Sequence, residues 1–305
     1  MTTAFIFPGQ GSQSVGMGSD WLGRSELVRQ TFEEADTALG EALSKVILEG
    51  PMEDLTRTEN TQPALLTVSV AYWRVLEAEG LRPDVVAGHS LGEYSALVCA
   101  GALDFADAVR LTRLRGQAMQ SAVPLGVGSM AALLRIDTEE KVLALCAAAT
   151  EGDEVLEPAG YNTVGQAVVA GHISAISRAV GMAKEFGGIG KELSVSAPFH
   201  CSMLLPAGVK LAAALEEVEI ASLSVPYVPN VTGSWTVDPS ADDVRSNLVD
   251  QVSKPVLWLP GMRAMAEQGV TSWLEVGSGR TLQGLVKRFD RGADISGFEA
   301  EGWTS

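Results

Sequence analysis

Short apolar segments alternate with helical patterns along most of this chain, and that alternation limits the fold more than any other feature. The stretches TAFIF (3–7) and DVVAG (84–88) are brief and apolar, as strands covered on both faces must be. Helical periodicity runs through SELVRQTFEEADTAL (25–39), QPALLTVSVAYWRVLEAEG (62–80) and DFADAVRLTRLRGQAMQSAV (104–123). The second of these closes on Gly80, and the third opens on Asp104 as a cap. Strand and helix in this order predict an α/β protein with a mostly parallel sheet.

The middle of the chain changes character. GSMAALLRI (128–136), TEEKVLALCAAA (138–149), GYNTVGQAVVAG (160–171), ISAISRAVGMAKEFG (173–187) and GKELSVS (190–196) read as strand, helix, strand, helix, strand. Roughly 70 residues in that order suit a small α+β insertion of the split βαβ type. After Pro198 the α/β pattern returns, with TSWLEVGSG (271–279) as a late strand and RTLQGLVKRF (280–289) as a last helix.

Composition excludes several classes. Hydrophobic residues make up 46% and charged residues 20% of the 305, which is ordinary for a globular chain able to bury a sizeable core. No apolar run reaches the roughly 18 residues of a membrane helix. The start MTTAFIFPGQG lacks the basic region and the apolar length of a signal peptide. Cys99, Cys146 and Cys201 form no C-x-x-C pair, so reduced thiols and a cytoplasmic setting are expected. The net charge of −16 opposes nucleic-acid binding, which needs surplus Lys and Arg.

One stretch raises the functional question. VVAGHSLGEYSAL (85–97) takes an apolar strand into G-x-S-x-G and then into helix-forming residues. Ser90 and Glu93 also spell a capping box, in which the serine would cap a helix and do no chemistry. In the other reading the glycines flank a turn too tight for side chains, and Ser90 is a nucleophile raised above the sheet. The stretch alone leaves both open.

A serine nucleophile needs a base. His89 precedes Ser90, so its ring should project away from the serine; His172 ends a strand and reads as a turn residue. His200, in SVSAPFHCSM where the chain returns to the main fold, is the candidate base. No Asp or Glu stands out as a third member, but a backbone carbonyl can orient an imidazole as well. FPGQGSQSVGMG (7–18) is glycine-rich yet fits neither G-x-G-x-x-G nor G-K-[ST], so it does not predict a nucleotide site. A loop after a first strand can instead offer an N–H to an oxyanion, and Gln10 and Leu91 are the candidate donors. On the third helix Ala108, Thr112, Arg115 and Met119 share an inward stripe, while Arg110 and Arg113 fall off it. A buried guanidinium needs a carboxylate, which either belongs to the protein or arrives with the substrate.

At this point the chain resembles the malonyl-CoA:acyl-carrier-protein transacylases and is similar to the acyltransferase domains of polyketide synthases. The likeness rests on FPGQGSQ, EGPMEDLTRTENTQPAL, GHSLGEYSAL, Arg115 with GQAMQ after it, SAPFH, PNVTG, QVSKPVLW and EVGSGRTLQGL. It departs from the family at Val164, where proline is usual, and at Ser278 in EVGSG. The resemblance implies an α/β-hydrolase-like core over 1–126 and 197–305, with a ferredoxin-like subdomain over 127–196. It implies that Ser90 is acylated by malonyl-CoA, that His200 is the base, and that the carbonyl of Gln251 orients His200. Gln10 and Leu91 would form the oxyanion hole. Arg115 would hold the malonyl carboxylate, with Phe199 and Asn162 in the substrate pocket. The acceptor would be the phosphopantetheine thiol of an acyl carrier protein, with no cofactor and no metal, and the chain would act as a monomer.

Carrier proteins are typically acidic, so docking on a −16 chain needs a local positive surface. Arg280, Lys287, Arg288 and Arg291 against Asp290 supply a local +3, with Lys184 and Lys191 expected on the opposite lip of one groove. The alternative for that helix is a solvated basic end that complements its dipole. Rival functions are an acyltransferase serving a polyketide synthase or a malonate decarboxylase, a serine hydrolase, and a non-catalytic scaffold.

Overall fold

The computed structural model describes residues 2–298. Nine strands are present among them: β1 (Thr2–Phe7), β2 (Val85–Gly88), β3 (Gly128–Leu134), β4 (Leu156–Thr163), β5 (Gln166–His172), β6 (Ile189–Glu192), β7 (Tyr227–Val228), β8 (Val270–Glu275) and β9 (Asp294–Gly297). They form two sheets. The first is parallel throughout, in the order β7-β2-β1-β8-β9. Its side chains alternate between two apolar layers. Phe5, Phe7 and Val86 face the core shared with the Thr58–Ala78 and Phe105–Ala122 helices, while Ala4, Ile6, Val85 and Ala87 face Trp258, Met262, Leu282 and Val286. Burial on both faces is why these strands carry no polar alternation.

The helices on this sheet form for local reasons and are placed by packing. Asp104 caps the Phe105–Ala122 helix, its carboxylate accepting from Ala106 N at 2.9 Å and Asp107 N at 3.2 Å. The helix expected to start at Gln62 begins at Thr58 instead. Its first turn lies against Gly116, where a Cβ would come within 2.6 Å of Glu59 Cα and 2.7 Å of Thr58 O. That close approach of two helices holds a turn which sequence pattern alone leaves loose.

Residues 128–192 build the second sheet, antiparallel, in the order β4-β5-β3-β6. The Glu139–Ala149 and Ile173–Met182 helices cover one face over a core of their own, with Leu133, Leu145, Val169 and Ile176. Here the structure corrects the single strand expected over 160–171. The chain folds back at Val164–Gly165, and β4 and β5 form a hairpin. Gly165 takes a φ of 70°, which a two-residue turn of this kind needs and glycine adopts without penalty. The order is therefore strand, helix, strand, strand, helix, strand. Among the described residues no helix is long and apolar enough to cross a membrane.

Candidate active site

The C-terminal ends of β1 and β2 lie side by side, with Phe7 in register with Gly88, and here the chain turns into the Gly92–Cys99 helix. The turn has no room for side chains at its glycines. A Cβ on Gly88 would lie 1.9 Å from Gly92 C, one on Gly92 would lie 2.1 Å from Phe7 O, and one on Gly9 would lie 2.4 Å from His89 O. Ser90 between them has a φ of 51°, a left-handed conformation that is strained for a residue with a Cβ.

This geometry separates the two readings of the motif. Leu91 is the N-cap residue of the helix, with no side-chain capping bond. Ser90 Oγ lies 2.7 Å from His200 Nε2, and the Glu93 carboxylate turns inward to Gln251 and Asn230. The capping box does not form.

His200 also has a positive φ, 64°, and its Nδ1 donates to Gln251 O at 2.6 Å. That bond leaves Nε2 as the acceptor facing the serine. Burial and the nearby Arg115 charge push the imidazole down to about 3, so the ring is neutral at ordinary pH and Nε2 carries a lone pair toward the serine. Arg115 is buried, as the stripe predicts. It donates through Nη1 to Gln62 Oε1 at 2.6 Å, and through Nη2 to Gln251 Oε1 at 2.8 Å and Ser90 Oγ at 3.1 Å. No carboxylate pairs with it directly among the described residues, and its Nε has no partner.

A cleft of about 250 Å3 opens between the two sheets onto Ser90, His200 and Arg115. Gln10, Met130, Val168, Phe199 and Leu285 line it. Gln10 Oε1 accepts from Thr58 Oγ1 at 2.8 Å, and the N–H groups of Gln10 and Leu91 have no acceptor among the described residues. His89 does point away from the serine: its Nε2 meets Asn162 Oδ1 at 2.9 Å, and its ring lies 5.5 Å from that of Trp258. His172 Nδ1 accepts from Val155 N at 2.8 Å, a local structural bond.

The basic residues are only partly brought together. Arg288 Nη1 donates to Gln166 Oε1 at 2.7 Å, at the edge of the cleft, and Lys287 Nζ donates to Ala293 O at 2.7 Å. Arg280 and Arg291 are exposed. Lys191 lies on β6, the opposite edge strand of the small sheet from β4, and Lys184 follows the helix that packs on β6. Three strand spacings, about 14 Å, separate those edges.

Three further residues belong to the site that sequence reasoning did not assign: Gln62, Glu93 and Asn230. Asn230 Oδ1 accepts from Ser90 N at 2.7 Å, and its Nδ2 donates to Gly88 O at 2.6 Å, bracing both sides of the elbow. PNVTG, at the end of β7 beside β2, was the available signal. Glu93 was visible only as a capping partner.

A half-buried, strained serine over a parallel sheet, with an imidazole and a buried guanidinium at its hydroxyl, defines a site suited to acyl transfer on a carboxylated acyl group. The family profile described as acyl transferase domain matches residues 4–295, and the chain belongs to that family. It is 47% identical over 287 residues to the malonyl CoA-acyl carrier protein transacylase of Escherichia coli (strain K12), covering 93% of this chain and 92% of that one. The Bacillus subtilis (strain 168) protein of the same name is 41% identical over 94% of this chain and 90% of its own. Among solved structures, the malonyl CoA-acyl carrier protein transacylase of Coxiella burnetii superposes with a TM-score of 0.94 at 42% identity, over 98% of this chain and 94% of that one. A malonyl-transacylase in complex with its type II PKS acyl-carrier protein gives 0.93 at 42% identity, over 97% and 96%.

Proposed function

We propose that this protein moves a malonyl group from coenzyme A to the phosphopantetheine thiol of an acyl carrier protein, through a malonyl-Ser90 ester, in fatty acid biosynthesis. The observation that carries the reading is the Arg115 guanidinium, buried beside the nucleophile with no carboxylate among the described residues paired to it. The relatives' names support the substrate pair.

His200 Nε2 takes the Ser90 proton as Oγ attacks the thioester carbonyl. The oxyanion faces the N–H groups of Gln10 and Leu91. Collapse breaks the C–S bond, and the coenzyme A sulfur leaves with the proton from His200. The carrier thiol then gives its proton to His200 and attacks the ester carbonyl, and Ser90 Oγ recovers the proton as its bond to carbon breaks. Gln251 O keeps His200 in the reactive tautomer throughout. Arg115 holds the malonyl carboxylate, Phe199 crowds the C2 position, and Asn162 shapes the wall through His89.

The reading extends to the architecture. Residues 1–126 and 197–305, of which 1 and 299–305 lie outside the described residues, make up an α/β-hydrolase-like core, supported by the parallel sheet with its elbow after β2. Residues 127–196 form a ferredoxin-like subdomain, supported by the β6-β3-β5-β4 order. The carrier docks at Lys287 and Arg288, with Lys184 and Lys191 a second positive patch at the β6 edge, and the enzyme works as a cytoplasmic monomer.

Intact-protein mass spectrometry after incubation with malonyl-CoA tests this. One malonyl group should add to wild type and none to Ser90→Ala; an adduct on Ser90→Ala overturns the reading. A polyketide carrier is a second reading, favoured by the likeness to the transacylase bound to a type II PKS carrier. Acceptor assays with carriers of both kinds separate the two.

A further inference from the structure

Glu93 is 1% exposed and lies behind the nucleophile, not in the cleft. Its Oε2 accepts from Gln251 Nε2 at 2.6 Å and from Asn230 N at 3.1 Å, and its Oε1 has no partner among the described residues. Both donors belong to residues that touch the reactive groups. Asn230 braces Ser90 N and Gly88 O. Besides Glu93, Gln251 meets His200 Nδ1 at its backbone O and Arg115 Nη2 at its Oε1, and its Nε2 also donates to Ser90 O at 3.0 Å and reaches Asn230 Oδ1 at 3.5 Å.

A side-chain amide has one acceptor end and one donor end. With acceptors at Glu93, at 2.6 Å, and at Ser90 O, at 3.0 Å, the donor end of Gln251 must face them, and the acceptor end must then face Arg115. Reversing the amide would set its N–H groups against the guanidinium. We propose that Glu93 is a positioning residue that fixes the Gln251 amide, and through it the aim of Arg115, so that the enzyme's preference for carboxylated acyl groups depends on an acceptor outside the cleft. Burial pushes the Glu93 carboxyl up to about 7 while both donors pull it back, in keeping with a group placed for its acceptor oxygen more than for full charge.

The inference rests on the malonyl-transfer reading, and the test keeps the two apart. Glu93→Gln retains an acceptor at the same reach. Glu93→Met keeps length and removes the acceptor. Rates of Ser90 loading from malonyl and acetyl thioesters are measured on wild type and both variants, alone and with Arg115→Ala. Absence of a malonyl adduct on wild type would defeat the functional reading itself. With wild type active, Glu93→Met should lower the malonyl-to-acetyl ratio of kcat/KM roughly tenfold to a hundredfold, and Glu93→Gln should stay within about threefold of wild type. In the Arg115→Ala background the Met change should leave the ratio unmoved. Equal losses of malonyl and acetyl loading, an unchanged ratio, or a Gln variant as impaired as the Met variant would overturn the proposal. Should Glu93→Met fail to fold, Asn and Ala at 93 provide the same contrast, a shortened acceptor against none, and are read by the same ratio.

Discussion

Replacing Arg115 by Ala is the most informative single change. Among the described residues the guanidinium donates three hydrogen bonds, to Gln62, Gln251 and Ser90, all to neutral oxygens. A malonyl carboxylate would replace such contacts with two charge-assisted bonds in a buried fork-to-fork pair. Hydrogen bonds to charged groups contribute about 1.5–3 kcal/mol each, so losing two should cost about 3–6 kcal/mol. At about 1.4 kcal/mol per decade, that is roughly a hundredfold to ten-thousandfold in kcat/KM for malonyl loading. Acetyl thioester has no carboxylate and should not lose this amount; the wider pocket should raise its relative rate. Stability should change less, because losing the bonds of Gln62 and Gln251 is offset by removing a buried cation that has no direct carboxylate partner among the described residues. Quenched-flow loading of Ser90 from each thioester gives both ratios, with a melting curve as the folding control. A malonyl loss under tenfold in a folded variant, or an equal loss for acetyl, would refute the carboxylate role.

Four other outcomes are expected. Gly92→Ala should abolish the elbow, since its Cβ would lie 2.1 Å from Phe7 O; soluble, normally loading protein would contradict that packing. Loading from acetyl thioester should show no inflection near 6.5, because the His200 ring is pushed down to about 3, and an inflection there would show a solvated base. The stability linkage has two opposing signs. The unfolded chain binds more protons at His200 between about 3 and 6.5, so stability falls as pH falls through that window, whereas the raised Glu93 favours the folded state below 4.5 and loses that contribution as pH rises through about 7. Denaturant midpoints from pH 4 to 8 should show the Glu93 contribution disappear in Glu93→Gln. Changing Lys287 and Arg288 together to Glu should raise KM for the carrier several-fold at low salt and less at high salt, with small-thioester loading unchanged; equal transfer at low salt would place docking elsewhere.

The sequence by itself determined the parallel core and much of the site's membership. Buried strands such as β2, the Asp104 cap and the stripe that turns Arg115 inward follow from periods of two and 3.6 and from capping chemistry, which act between near neighbours. The hairpin at Val164–Gly165 has no strong local signal, because its turn lacks the Asn-Gly or Asp-Gly pair that marks most such turns. What Ser90 does is undecidable locally, since Ser90–Glu93 fits a cap while the overlapping Gly88–Gly92 fits an elbow. His200 lies 110 positions away, and the Gln251 and Asn230 donors to Glu93 lie 158 and 137 positions away. Only tertiary packing brings these groups within 3.1 Å of their partners, and there a buried acceptor must find a donor at whatever sequence distance the fold supplies one.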